Sequence, residues 1–232
     1  MVKILTLICA RKNSTEVKNK NLINYQGKTL IEQSIFHAKK LKKQFDNKVI
    51  FSTDSKVMAK IAERSGAEVP FIRPKKLAKK NSPEWLVWRH ALKYLRDRYD
   101  YFPDIFLSLS PTAPFRRTQD VIRSINVYKK SKKDLIVTVH KSKNNPYFNM
   151  LEKNRYGNYV RPKKFKRNIY VRQDCPKVFS MNTVAYVADP NFILKKNNMF
   201  EGNIGTCEIE QRFSLDLDTL YEVNLLKKLS RK

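Results

Sequence analysis

The run Ile4-Leu5-Thr6-Leu7-Ile8-Cys9-Ala10 breaks off into Arg11-Lys12-Asn13-Ser14 and then Lys18-Asn19-Lys20-Asn21, and this junction limits the folds open to the chain. A short run that is almost continuously apolar, rather than alternating, marks a strand covered on both faces, as in a parallel α/β sheet. Its abrupt polar end puts cations and amides where open parallel sheets bind ligands, beyond the carboxyl ends of their strands. That chemistry suits an anionic, phosphorylated ligand. In a lysine-rich protein the same stretch could equally be a solvated loop.

The pattern repeats down the chain. Thr29 is placed to cap a helix over 30–45 with Leu30, Ile31, Ile35, Ala38 and Leu41 on one face. A strand over 48–53 ends in Ser52-Thr53-Asp54, a helix over 55–65 is closed by Gly66, and a third strand is expected over 68–72. This alternation predicts a doubly wound, mostly parallel sheet. Ser82 as N-cap and Pro83 at the first helical position open a helix that buries Trp85, Val87 or Trp88, Leu92 and Leu95, with His90 an ordinary helix residue. A strand over 104–109 ends at Ser110-Pro111-Thr112-Ala113-Pro114, where two prolines set a rigid turn. A helix over 118–128, strands over 135–139 and 183–187, a helix over 189–196, a loop at 203–205 and a last helix over 220–229 follow. Residues 140–178 lose all periodicity and read as a basic, tyrosine-bearing insertion in a core made of 1–139 and 179–232.

At 232 residues and 41% hydrophobic content the chain can bury one full core. Its 48 Lys and Arg against 21 Asp and Glu leave +27 at pH 7, a surface that attracts polyanions. The cations are scattered as pairs such as Lys39-Lys40 and Lys132-Lys133, and no RNP, zinc or helix-turn-helix pattern accompanies them, so nucleic acid is not the expected partner. Cys9, Cys175 and Cys207 have no metal-ligand spacing and form no even disulfide set, which fits a reducing cytoplasm. No signal-peptide pattern and no run of 18 apolar residues occurs, so neither the usual secretion route nor a membrane span is expected. With 5 Gly in all, a phosphate-binding loop must be built largely without glycine.

Asp216 and Asp218 alternate with Leu215 and Leu217, so in an extended segment both carboxylates share one side. Two hard oxygen ligands in a protein full of cations suit Mg²⁺ held together with substrate phosphates. The competing role for Asp218 is to cap the last helix.

Six segments, taken in order, resemble one family: Arg11-x-Asn13-Ser14 with Lys20-Asn21; Ser52-Thr53-Asp54; Val69-Pro70-Phe71-x-Arg73-Pro74; the Pro-Thr-x-Pro-x-Arg turn ending at Arg116; Arg172-Gln173-Asp174; and Ser214-Leu215-Asp216-Leu217-Asp218-Thr219. The family is the acylneuraminate cytidylyltransferases, which make CMP-sialic acid and its relatives. The resemblance implies a nucleotide-diphospho-sugar transferase-like, Rossmann-type α/β fold. It implies a Mg²⁺-dependent reaction in which the anomeric hydroxyl of a 2-keto-3-deoxy acidic sugar attacks the α-phosphate of CTP and pyrophosphate leaves. On the matching positions, Arg11, Lys20, Asp216 and Asp218 would be catalytic, the two aspartates holding the metal. Arg11, Asn13, Ser14, Lys20, Asn21, Arg73 and Ser82 would bind the nucleotide, and Ser110, Thr112, Arg172, Gln173 and Tyr186 the sugar, with Arg172 on its carboxylate. A homodimer is also implied, with 140–178 reaching toward the partner's site.

The chain departs from the family in places. Where Gly-Gly-Ser or Gln-Asn-Ser is common it has Lys12-Asn13-Ser14-Thr15-Glu16, with no glycine to supply positive φ. Ser110 replaces the usual Gln of the turn, and Ser180-Met181-Asn182-Thr183 the usual Arg-Pro-Asn-Gly. Catalytic and metal motifs are kept better than sugar-facing ones, so the expected substrate is an acidic sugar other than ordinary sialic acid, of legionaminic or pseudaminic type. The alternatives are a KDO-type cytidylyltransferase, disfavoured by Asn19-Lys20-Asn21-Leu22 where that branch has a Leu-Pro-Gly-Lys-like loop end, a basic nucleic-acid-binding protein, or a non-catalytic family member.

Overall fold

The computed structural model describes residues 1–13, 16–165 and 170–229. Six strands form the central sheet: β1 (Lys3–Cys9), β2 (Asp46–Ser52), β3 (Ile105–Ser108), β4 (Leu135–Lys141), β5 (Phe179–Ala188) and β6 (Ile204–Glu208), in the order β6-β4-β5-β3-β1-β2. β1 runs parallel to β2 and β3, and β4 parallel to β6, whereas β5 is antiparallel to both of its neighbours. Strand order reverses at β1, from which the chain goes first to β2 on one side and then to β3 on the other. A crevice therefore opens between the carboxyl ends of β1 and β3.

The near-continuous apolar character of β1 has a direct cause. Ile4 and Ile8 pack on one face of the sheet with Ile35, Met58, Val121 and Ile125, from α1 (Leu30–Lys40), α2 (Lys56–Arg64) and α4 (Thr118–Lys130). Leu5 and Leu7 pack on the other face with Trp88, Leu92 and Ile193, from α3 (Glu84–Tyr99) and α5 (Pro190–Lys195). Thr6, the polar member of the run, donates to Asn47 Oδ1 at 2.7 Å, and Asn47 Nδ2 donates to the Ala38 carbonyl at 2.9 Å. This buried bridge ties β1, β2 and α1 together with its polar groups satisfied.

α1 starts as expected, on a capping box in which Thr29 accepts from the Glu32 amide and Glu32 accepts from the Thr29 amide. It ends at Lys40 and continues as a 3-10 turn, Leu41–Lys43. Three expectations need correction. Residues 68–72 form no strand: a single bridge joins Ile50 to Glu68, and Pro70, which lacks an amide donor, interrupts the segment two residues on. Ser82 does not cap α3, since Pro83 occupies the N-cap without a side-chain bond and Ser82 Oγ donates instead to the Lys76 carbonyl at 2.9 Å. The loop expected at 203–205 is the start of β6, where a Cβ on Gly205 would meet Ile136 Cδ1 at 2.7 Å, so the glycine permits close packing at the sheet edge. β5 extends well beyond 183–187 and runs beside β4, so the chain between Lys141 and Phe179 leaves and re-enters the sheet on adjacent strands. That intervening chain carries its own small hairpin, Glu152–Lys153 with Tyr159–Val160. Among the described residues, no helix is long and apolar enough to cross a membrane.

Candidate active site

Two cavities open at the carboxyl ends of the parallel strands. The first, about 270 Å³, is lined by Cys9 and Arg11 after β1, Ser110 after β3, Arg73, Lys79, Lys80 and Ser82 from the connection into α3, and Glu84 and Val87 of α3. It lies at the reversal of strand order, between β1 and β3. Arg73 is 6% exposed and holds the cavity wall by donating from Nε to Ser52 Oγ at 3.1 Å and from Nη2 to the Ser52 carbonyl at 2.6 Å. Arg11 Nη1 donates to the Lys79 carbonyl at 3.2 Å, drawing the connection over the cavity. Glu84 is an exposed residue at the start of α3 that lines this cavity, and loss of water around its carboxyl pushes its pKa up. The neighbouring Trp88 indole and Arg73 guanidinium favour its charged form, and Asp216 disfavours it.

The second cavity, about 370 Å³, is lined by His140 at the end of β4, Met181 and Asn182 at the start of β5, and Gln211, Ser214, Leu215, Asp216, Asp218 and Glu222. Leu217 is fully buried, and its amide donates to the Thr112 carbonyl at 2.9 Å, so the flanking aspartates are held by the same turn that follows β3. Burial raises the pKa of Asp216, and the repulsive charge of Asp218 adds to the rise, while the hydroxyls of Thr112 and Thr183 and the charge of Lys20 oppose it. Lys20 Nζ reaches Asp218 Oδ1 at 3.1 Å. Asp218 does not cap the last helix, α6 (Leu220–Leu229): Thr219 Oγ1 accepts from the Tyr221 amide, and Glu222 accepts from the Thr219 amide. The carboxylate of Asp218 is thus free of a structural duty at the helix start.

Among the described residues, the buried side-chain atoms without a hydrogen-bond partner include Asn182 Nδ2, Thr183 Oγ1 and Asp216 Oδ1, which cluster at this cavity, and Trp88 Nε1, which lies beside Glu84. Leaving such groups unpaired costs about 1–3 kcal/mol each, a cost a polar ligand removes. Ser214 Oγ lies 2.8 Å from the Gln211 carbonyl, to which it donates, and 3.0 Å from His140 Nδ1, in a contact whose donor depends on the tautomer of the ring. Burial holds this imidazole below its usual pKa, hence neutral at pH 7.

Arg11, Arg73, Ser82 and Ser110 lie on the first cavity, and Asp216 and Asp218 on the second, with Lys20 paired to Asp218. Asn21 is buried behind the first loop, donating to the Arg11 carbonyl at 3.4 Å. Thr112 joins the two cavities, bonded to Ser110 at 2.8 Å on one side and beside Asp216 on the other. Tyr186 packs on Trp88 at 5.8 Å between ring centroids, and burial, with the charges of Glu84 and Asp216, pushes its hydroxyl up to about 12. Asn13 is exposed and lines neither cavity, and Ser14 lies outside the described residues. Arg172 and Gln173 line neither cavity; they sit in an exposed turn where Arg172 Nη1 donates to the Lys143 carbonyl at 2.9 Å. Sequence reasoning missed Glu84 and His140 as site residues, and met Asn182 and Thr183 only within the sugar-facing segment that departs from Arg-Pro-Asn-Gly. An acid at a helix start reads as a dipole partner, and His140 gains significance only when β4 and β5 are adjacent.

A divalent ion fits the second cavity. Asp216 offers an unpartnered oxygen and Asp218 an exposed one, and no group of three or more His, Cys, Asp or Glu side chains able to hold a metal exists among the described residues. The protein would therefore supply two ligands and leave the rest of the coordination to substrate oxygens and water.

Residues 5–82 match the family described as Cytidylyltransferase. Over its full 232 residues the chain is 31% identical to a post-translational flagellin modification protein B of Campylobacter coli, covering 97% of that protein. It is 28% identical over 227 residues to a CMP-N,N'-diacetyllegionaminic acid synthase of Campylobacter jejuni, covering 98% of this chain and 94% of that one. Over 60% of the chain, but only 32% of the relative, it is 33% identical to an N-acylneuraminate cytidylyltransferase of Escherichia coli. Its fold matches a CMP:2-keto-3-deoxy-manno-octonic acid synthetase solved with CTP, at a TM-score of 0.70, 15% identity and 98% coverage of both chains. With Lys20 of the first loop paired to Asp218 at the carboxyl ends of the sheet, the chain belongs to the cytidylyltransferases of the acylneuraminate type and is a nucleotidyltransferase.

Proposed function

We propose that this chain transfers the cytidylyl group of CTP to the anomeric hydroxyl of a nine-carbon, 2-keto-3-deoxy acidic sugar of the legionaminic type, releasing pyrophosphate. The observation that carries this reading is the unpartnered, buried Asp216 Oδ1, set beside Asp218 and opposite Lys20. A carboxylate kept in such a place at a cost to stability is explained by a cation that substrate phosphates help to bind. Full-length similarity to a legionaminic acid synthase favours that class of sugar over the eight-carbon acid of the KDO branch.

Arg73 and Ser82 line the cavity that would take the base, and Arg11 and Lys20 would lie along the triphosphate. In-line nucleotidyl transfer depends mainly on positioning and charge neutralisation, which cations fixed on the sheet edge provide. Mg²⁺ on Asp216 and Asp218 would offset triphosphate charge and make the α-phosphorus more electrophilic. Ser110, Thr112 and Tyr186 would border the sugar. Arg172 and Gln173 would meet it only across a dimer, in which residues 142–178 of one copy reach the site of the other. In support, that segment exposes Leu151, Tyr156, Tyr159 and Val171, an apolar surface that a second copy would cover. The three free cysteines fit work in the reducing cytoplasm.

The test is pyrophosphate release from CTP and Mg²⁺ with a panel of nine- and eight-carbon acidic sugars. Turnover with diacetyllegionaminic acid, lost in Asp216→Ala, is expected. Equal turnover of N-acetylneuraminic acid and of every analogue tried would overturn the sugar assignment. Silence across the panel from folded protein would overturn the whole reading.

A further inference from the structure

We propose that Glu84 selects the nucleotide, its carboxyl accepting a hydrogen bond from the exocyclic amine of cytosine in the cavity between β1 and β3. This rests on the cytidylyltransferase reading and adds to it a specificity residue.

Glu84 shares its cavity with Arg11, Arg73, Lys79 and Lys80, yet among the described residues it makes no ion pair with any of them. Its carboxyl lies instead against Cys9 and Trp88. Trp88 is 2% exposed, and its indole Nε1 has no partner within hydrogen-bond distance. An acid that served only the positive end of α3 could stay in solvent and still be favourable. Glu84 stays exposed as a residue, but it lines this cavity beside Cys9 and Trp88, where loss of water around the carboxyl raises its pKa.

Arg73 supplies the complementary half. Two of its five N–H groups are spent on Ser52, which fixes the guanidinium plane, and the remaining donors are available to the cavity. One wall therefore accepts and the other donates. Cytosine presents an N4 amine donor beside the N3 and O2 acceptors, whereas uracil presents an O4 acceptor beside an N3–H donor. A carboxylate can only accept, so it pairs with the cytosine amine and faces a repulsive O4 in uracil. The choice belongs to the ionised form, since a protonated carboxyl would pair as well with O4 and N3–H of uracil as with N3 and N4 of cytosine; the Trp88 indole and the Arg73 guanidinium favour that ionised form.

The test compares wild type with Glu84→Gln, whose amide can rotate to donate to O4. Initial rates with CTP and UTP are measured at saturating sugar, and CMP and UMP binding by calorimetry. Wild type is expected to prefer the cytidine nucleotide. In the variant, the ratio of kcat/KM for CTP to that for UTP should fall at least tenfold, mostly through KM, with the same trend in the CMP and UMP affinities. A ratio unchanged in both assays, or equal losses for the two nucleotides, would overturn the role. Glu84→Asp keeps the charge but withdraws it by one methylene, and should weaken CTP use without admitting UTP, so it serves if the Gln variant does not fold; unaltered CTP use in Glu84→Asp would also overturn the proposal. A wild type that binds CMP over UMP but makes no pyrophosphate would refute the catalytic reading and leave the selectivity to be read from the binding data.

Discussion

Replacing Arg116 by methionine should destabilise the protein by about 3–5 kcal/mol, and the structure shows why. The side chain is 3% exposed and makes no ion pair among the described residues. Its Nε donates to the Val184 carbonyl at 2.7 Å, Nη1 to Ser34 Oγ at 3.0 Å, and Nη2 to the carbonyls of Ser110 at 2.5 Å and Thr183 at 3.2 Å. Burial pushes the guanidinium down to about 9, against the pull of Asp216, so it remains charged at pH 7. Methionine fills most of the volume but takes the guanidinium donor from the Val184 and Thr183 carbonyls and Ser34 Oγ, at about 1–3 kcal/mol each, while the Ser110 carbonyl keeps the Ser34 hydroxyl at 3.3 Å. Part of that sum is offset because a buried charge no longer has to be desolvated, which brings the net to the stated range. For a chain of this length the loss corresponds to a fall in Tm of about 6–20 °C. Urea unfolding followed by the fluorescence of buried Trp85 and Trp88 gives the free energy directly. Arg116→Met should also lower kcat, since the Ser110 to Thr112 turn and Thr183 both depend on Arg116 and both adjoin Asp216. A loss below about 1 kcal/mol would show that these bonds are replaceable and would refute the reasoning.

The other expectations are simpler to read. Asp216→Asn should abolish pyrophosphate release yet raise Tm near neutral pH; because burial raises the folded-state pKa, wild-type stability falls as pH climbs from the ordinary carboxylate value through the raised one, and the variant, compared by thermal melts across that window, should lack the decline. Lys20→Met should cut kcat/KM for CTP by about 10²–10³ as a lost phosphate-neutralising charge, while changing stability by less than about 1 kcal/mol, because its partner Asp218 is 70% exposed; a stability change as large as the activity change would count against it. Thr29→Ala should cost about 1–2 kcal/mol in chemical unfolding and leave CTP kinetics unaltered, since the capping box lies at the start of α1, away from both cavities.

The parallel half of the fold was legible because its signals are local. The unbroken apolar run of β1, the Thr29 box and Gly66 at φ +90° after α2 each state their structure within a few residues. What was not legible depends on pairing between distant strands. Residues 68–72 look like a strand by composition, yet their one bridge is to Ile50, because Pro70 in their middle denies them a ladder. β6 was hidden by Gly205, whose meaning comes from the Ile136 side chain pressed against it. The same division runs through the site. Asp216 and Asp218 were found from alternation with leucine, a period that survives even though the segment forms no regular strand. Asn182 and Thr183 were met only as a departure from a sugar-facing motif, and His140 gains significance only from the antiparallel pairing of β4 with β5, which no local pattern encodes.

The first loop takes its left-handed turn without glycine. The backbone after β1 does need a left-handed residue, and Asn19 supplies it at φ +55°, as the residue type after glycine that best tolerates that region. Around it, the Lys20 amide donates to the Val17 carbonyl, the Leu22 amide to Asn19, and the Ile23 amide to Lys20, closing a tight 3-10 turn. Asn21 Nδ2 anchors this turn to the Arg11 carbonyl, so the two cations expected on the triphosphate are joined by a direct bond between their loops. An asparagine also loses less backbone freedom on folding than a glycine would, which makes the loop stiffer for the same path. Asn19→Gly should therefore be nearly neutral in stability and raise the KM for CTP slightly. Asn19→Val, which cannot adopt positive φ without strain, should cost about 1–3 kcal/mol and displace Lys20 from Asp218. If Asn19→Val proved as active and as stable as wild type, the loop would not hold the cations in place, and charge alone, not position, would account for the role of Lys20.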